Sequence, residues 1–231
     1  MHRIDDAWAA FTRDDYTDAE RQFEDILTEA QDEELMRQAQ FGLGYVFAFT
    51  HRFSAALSLF AQLYADAERR GALGEQHRAL HQVGMVERMA GHWRQAKTTF
   101  EQEADLIKRM ENPPLPVAVN AYEQGLVALH LNELERAHWW LERSLAHAVR
   151  TDDHVAVGCA HRGFGEYFHR IGERRQARHA WEQAVLAFAE ANERKAVEDV
   201  QERLKHLAEP PETTGTTAYP CRSAEPDTLD A

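Results

Sequence analysis

An all-α solenoid of about five helix pairs, closed by a further C-terminal helix, is the fold class that this 231-residue sequence predicts. Three observations predict it. An alanine recurs at 19, 56, 96, 137 and 177, with successive separations of 37, 40, 41 and 40 residues, and each is followed four positions later by a bulky apolar residue: Phe23, Phe60, Phe100, Leu141 and Trp181. A glycine or alanine precedes each of these motifs at 7, 44, 84, 125 and 165. Helix-breaking clusters, Gly71-Ala72-Leu73-Gly74, Asn112-Pro113-Pro114 and Thr151-Asp152-Asp153, fall between the units where the period calls for breaks.

Each element has a physical reason. The small residue at 7, 44, 84, 125 or 165 sits where the first helix of a pair (helix A) crosses the second (helix B), and it allows close approach. A glycine inside a helix costs about 1 kcal/mol relative to alanine, so four at one phase point to packing. The Ala-x-x-x-bulky pair places a small and a large side chain on one face of helix B, one turn apart. The first unit is an eroded copy, reading Ala7, then Tyr16-x-x-Ala19-x-x-x-Phe23. Residues 191–208 form one more amphipathic helix, which is expected to cap the last pair, because an exposed solenoid end needs a helix with a polar outer face. After Pro210-Pro211 the composition turns to Thr, Pro, Gly, Ser and acid, so the chain divides into a solenoid over 1–208 and a disordered acidic tail over 209–231.

These residues resemble the tetratricopeptide repeat (TPR), over residues 3–190. The spacing near 40, longer than the minimal unit of about 34, is similar to the extended repeats of Rap-type regulators, of maltose-activator-like sensor domains and of kinesin light chain. The resemblance implies a right-handed superhelix whose A helices line a concave groove. Projected onto this chain, it places Trp8 and Phe11, then Gln38, Phe41, Tyr45 and Phe49, then Arg78, His81, Met85, Arg88 and Met89 in the groove. Tyr122, Leu126 and His130 follow, and finally Arg162, Glu166, His169 and Arg170. The expected groove is aromatic in its N-terminal half and basic in its C-terminal half. The positions at which chaperone-binding members of the family carry lysine and asparagine hold Phe41, Tyr45, His81 and Met85, which disfavours capture of a chaperone tail.

Composition narrows the function classes. The charge is −13, from 26 basic and 39 acidic residues, a field that repels phosphate backbones and argues against nucleic acid. The acidic run from Asp14 to Glu34 is read as a solvated helix face. No apolar run approaches the roughly 20 residues of a membrane span, and the acidic start suits the cytoplasm better than export. Two cysteines, Cys159 and Cys221, are too few for a disulfide framework. His77-x-x-x-His81 and Glu135-x-x-His138 have metal-compatible spacings, but neither finds the further ligands that a zinc or di-iron site requires in sequence. Phosphate-binding glycine loops and the nucleophile-elbow motif are missing. The reading is therefore a non-enzymatic scaffold or adaptor without cofactor. Its arginines attract carboxylates, so its partner is a protein or peptide with apolar and acidic segments. A peptide-responsive sensor and a homo-oligomeric structural module are the alternatives.

Overall fold

A computed structural model describes residues 2–207, which form eleven α-helices and no strands; the expected tail over 209–231 lies outside the described residues. The helices are α1 (His2–Thr12), α2 (Tyr16–Glu29), α3 (Glu33–Phe49), α4 (Phe53–Arg69), α5 (Leu73–Met89), α6 (Trp93–Arg109), α7 (Pro114–His130), α8 (Leu134–Ala148), α9 (His154–Arg170), α10 (Arg174–Glu190) and α11 (Arg194–His206). Each packs on the next in chain order, and the odd-numbered A helices also touch one another, α1 with α3, α5 with α7 and α7 with α9. Five A–B pairs thus stack in two layers. The additional helix predicted over 191–208 is α11, packed on α10.

The repeating alanines are all fully buried, and the bulky residues that follow them are at most 2% exposed. The glycines meet those residues directly. A Cβ added at Gly44, Gly84, Gly125 or Gly165 would stand 2.4, 2.6, 2.9 or 2.1 Å from Phe60, Phe100, Leu141 or Trp181, inside van der Waals contact in every case. A second set was not foreseen. Gly42 faces Phe23 of the preceding pair and Gly163 faces Leu141, so a bulky B residue is also gripped by the A helix that follows it.

Every A–B turn has three residues with a left-handed residue at its centre: Asp14, His51, Gly91, Asn132 and Gly172, with Asn192 in the same place before α11. The amide after that residue donates back to the carbonyl five positions earlier, as from Arg52 to Phe47 at 2.7 Å and from Glu133 to Ala128 at 2.9 Å. This is the Schellman closure of a helix C-terminus, for which glycine and asparagine are best suited. Between pairs, Asp32 and Asp153 cap α3 and α9 by accepting from the Glu34 and Ala156 amides, and Pro114 opens α7. One expected break is shorter than the sequence suggests. Leu73 and Gly74 belong to the first turn of α5, and only 70–72 lie outside helices.

The two kinds of helical glycine give opposite predictions. Gly165→Ala is expected to lower stability by about 1–3 kcal/mol, because the Trp181 ring has to move. Gly74→Ala, with nothing within 4 Å, is expected to raise it by about 0.4–1 kcal/mol. Urea unfolding of the two variants checks both signs.

Candidate binding groove

The C-terminal groove residues come together. Arg88 on α5, Tyr122, Leu126 and His130 on α7, and Arg162, Glu166, His169 and Arg170 on α9 line one open cavity of about 650 Å³. Trp93 and Leu129 complete its floor, and Asp199 and Arg203 of α11 form one wall. The sequence reading missed these four. Asp199 and Arg203 were assigned to a cap with a polar outer face, and no local signal shows that α11 turns this side inward.

The N-terminal half of the expected groove is different. Trp8, Phe11, Tyr16, Tyr45 and Phe49 form a connected aromatic cluster, with ring centroids 5.4–6.1 Å apart. Tyr45 and Phe41 both abut Phe60, and Arg78, itself exposed, lies over the Phe41 ring. Only Phe49, at 44% exposed, keeps much of its surface open. The anticipated exposed aromatic stripe is therefore mainly packing between the first repeats. Met85 packs towards Ala96, Phe100 and Val127.

His81 is the clearest departure from the expected groove, since it turns inward. Its Nδ1 lies 3.1 Å from Oε1 of Glu103 on α6, a carboxylate with no exposed surface, and His77 Nε2 lies 3.0 Å from the same oxygen. Asn120 donates to Glu103 Oε2 at 2.8 Å and to the Phe100 carbonyl at 2.9 Å, and Gln124 donates to Asn120 Oδ1 at 2.7 Å. α5, α6 and α7 are thus tied by one buried polar network. Burial disfavours charge on both His81 and Glu103, but their mutual attraction prevails: the imidazole pKa is raised and the carboxyl falls to about 2. His138 packs against Phe164 and Tyr167 instead of completing a ligand set. Among the described residues no group of three or more His, Cys, Asp or Glu is arranged to hold a metal ion.

The cavity's four guanidinium groups are held by the protein itself. Arg88 Nε lies 2.7 Å from the buried carboxylate of Glu123. Arg203 pairs with Glu166 at 2.8 Å and with Asp199 at 3.2 Å. Arg162 donates through Nη2 and Nε to the Tyr122 hydroxyl at 2.7 and 3.1 Å, with its guanidinium carbon 5.6 Å from each of the Tyr122 and Phe188 ring centres. Burial raises the Tyr122 pKa, so the phenol stays neutral beside the cation. Burial likewise moves the Cys159 thiol up to about 11. Arg170 donates to the side-chain oxygen of Asn132, at 3.3 Å. His130 stacks on Trp93 with centroids 3.5 Å apart; burial, then the charges of Arg170 and Arg88, depress its pKa.

The ends of the solenoid also meet. Lys195 at the start of α11 donates to the Thr12 carbonyl at 2.9 Å and to both Asp14 oxygens at 2.7 Å, in the turn between α1 and α2. Lys195 thus links the start of α11 to the turn between α1 and α2.

This architecture is the TPR-like repeat fold. No family model matches the sequence and no curated protein matches it. Solved structures do match. BtubC (BKLC) from P. vanneervenii is 13% identical with a TM-score of 0.62, over 92% of this chain and 84% of that one. Aspartyl phosphate phosphatase F from Bacillus subtilis is 12% identical with a TM-score of 0.60, over 96% of this chain and 62% of its own length. A putative kinesin light chain from Podosopora anserina, with nearly identical TPR-like repeats, is 16% identical with a TM-score of 0.57, over 82% and 95%. At these identities the likeness is one of fold. Among the described residues no helix is long and apolar enough to cross a membrane.

The His81–Glu103 pair predicts a pH-dependent stability. With its pKa raised above 6.5, His81 contributes fully below that value, and its contribution is lost as pH rises through the raised pKa. Glu103 contributes fully above 4.5, and its contribution is lost as pH falls towards about 2. His81→Asn is expected to cost about 3–5 kcal/mol near pH 6, where it leaves a buried carboxylate short of its cation. The difference in melting temperature between wild type and variant should shrink from pH 6 to pH 9. A constant difference would count against a charged pair.

Proposed function

We propose that this chain is an interaction module that holds a protein or peptide segment in its concave groove, with the cavity between α5, α7, α9 and α11 as the principal contact. The observation that carries this reading is the cavity itself. Its volume of about 650 Å³ lies in the range typical of ligand sites. It combines apolar surface from Trp93, Leu126 and Leu129 with four arginines, a residue type that recognises carboxylates through paired hydrogen bonds. Such a lining suits a segment with apolar and acidic side chains. Fold alone does not determine activity, and the cavity side chains are engaged in positioning one another, which suits recognition.

A second reading, a peptide-responsive regulator, is favoured by the contact of Lys195 with Thr12 and Asp14. A segment entering the groove would meet α11, which carries that exposed link. A structural neighbour is a Rap protein complexed with Competence and Sporulation Factor, aligned over 89% of this chain at 12% identity with a TM-score of 0.56. It supports the idea that the fold accommodates such a ligand.

The test is site-specific photo-crosslinking in native extract. A benzoylphenylalanine at Leu126, in the cavity, is expected to yield a discrete adduct, and the same group at Leu186, 59% exposed on α10, to yield none. Adducts from Leu186 alone would move the interaction to another surface and sink the groove reading.

A further inference from the structure

The cavity already contains a carboxylate at its most prepared cation. Arg162 is oriented by two hydrogen bonds to the Tyr122 hydroxyl and by the Tyr122 and Phe188 rings on which it rests. Its third nitrogen, Nη1, faces Asp199 of α11 at 3.8 Å, beyond hydrogen-bond distance. Asp199 is in turn divided between Arg162 and Arg203, and its side chain is 44% exposed. Arg162 is thus a pre-positioned donor with a poorly matched partner. α11 carries both that partner and, one turn earlier, the Lys195 link to the first repeat.

We propose that Arg162 is the anchor for an acidic side chain of the bound segment, that this carboxylate takes the place of Asp199, and that its arrival loosens α11 from the cavity and from the first repeat. This inference rests on the groove reading and adds the chemistry of the anchor and its mechanical consequence. The exchange is of one carboxylate for another, so no charge is left uncompensated on the partly buried guanidinium. An incoming group free to approach in the guanidinium plane gains a charge-assisted hydrogen bond at about 2.7–2.9 Å that Asp199 does not make. The groups facing the site are Arg88 with Glu123, Glu166, His169 and Arg170, and Asp199 with Arg203, together with His130 across the cavity. Once Asp199 is displaced, α11 keeps its apolar contacts through Val197, Val200 and Leu204 and the Arg203–Glu166 pair, and loses the Asp199–Arg162 attraction that helps hold its cavity side.

The probe is a blocked tetraglutamate peptide, with the tetraglutamine peptide as control, titrated calorimetrically at fixed ionic strength. The glutamate peptide is expected to bind and the glutamine peptide not to bind. Asp199→Asn should tighten binding several-fold by removing the internal competitor. Arg162→Gln should abolish it and Arg162→Lys, which keeps the charge, should weaken it at least tenfold, each variant being checked for an unchanged unfolding transition. Amide exchange across 194–206 should accelerate when the glutamate peptide is bound. Equal binding of both peptides, weaker binding by Asp199→Asn, or unchanged exchange in α11 at saturation overturns the proposal. A Leu126 crosslink obtained alongside any of those results would leave the groove reading standing without it.

Discussion

The structure depends on a small contact made five times: a bulky residue of a B helix sunk against an A helix at a position with little or no side chain. Leu141 shows its full form, with Gly125 of its own pair on one side and Gly163 of the next pair on the other. The contact within the pair sets the distance between A and B helices. The contact across pairs sets the stacking of one repeat on the next. In a solenoid each unit is stable only through its neighbours, so the same side chain serves local and long-range order. The left-handed turn residues at 14, 51, 91, 132 and 172 keep these contacts in phase, because each ends helix A at the same place relative to its notch.

The interior polar groups follow from how the groove is built. Where α5, α7 and α9 approach one another, their inner faces carry arginine, histidine and tyrosine, and burying such groups is costly unless each finds a partner. Glu103 and Glu123 provide partners from within, the first for His81 and the second for Arg88. An acidic protein can hold a cluster of arginines on its concave face because the cluster is largely compensated by its own carboxylates. Reversing the charge of Arg88 or Arg162 would strand Glu123 or abandon the Tyr122 hydroxyl, so loss of binding in such variants would mix recognition with stability.

The fold was legible because its signal is one of size and phase. Small and large residues recur at fixed offsets, and only close helix packing makes use of them. Gly42 and Gly163 were equally visible as glycines, but their partners lie in neighbouring pairs, where the offset varies with loop length. The turns were half legible: Gly91 and Gly172 announce themselves, whereas Asp14, His51 and Asn132 take the same conformation without glycine. Helical spacing selected, on α7 and α9, residues that line one cavity. It did not separate His81 or Tyr45 from such residues, because a residue at the edge of a helical face turns in or out according to what the adjacent helix offers. For His81 that is the carboxylate of Glu103, 22 residues away.

Helix α11 is where sequence reasoning was least informative and where the structure adds most. A terminal cap needs only an apolar inner face and a polar outer one, and Val200 and Leu207 meet that need. Asp199, Arg203 and Lys195 go further, because they direct polar groups at the cavity and at the far end of the chain. Such contacts add little stability, since exposed ion pairs contribute about 0–1 kcal/mol each. In the proposed exchange what they add is sensitivity, since a helix held by apolar contacts and by charges that another carboxylate replaces has a position open to change. In that proposed exchange the repeats supply the frame, and the last helix supplies the part that responds.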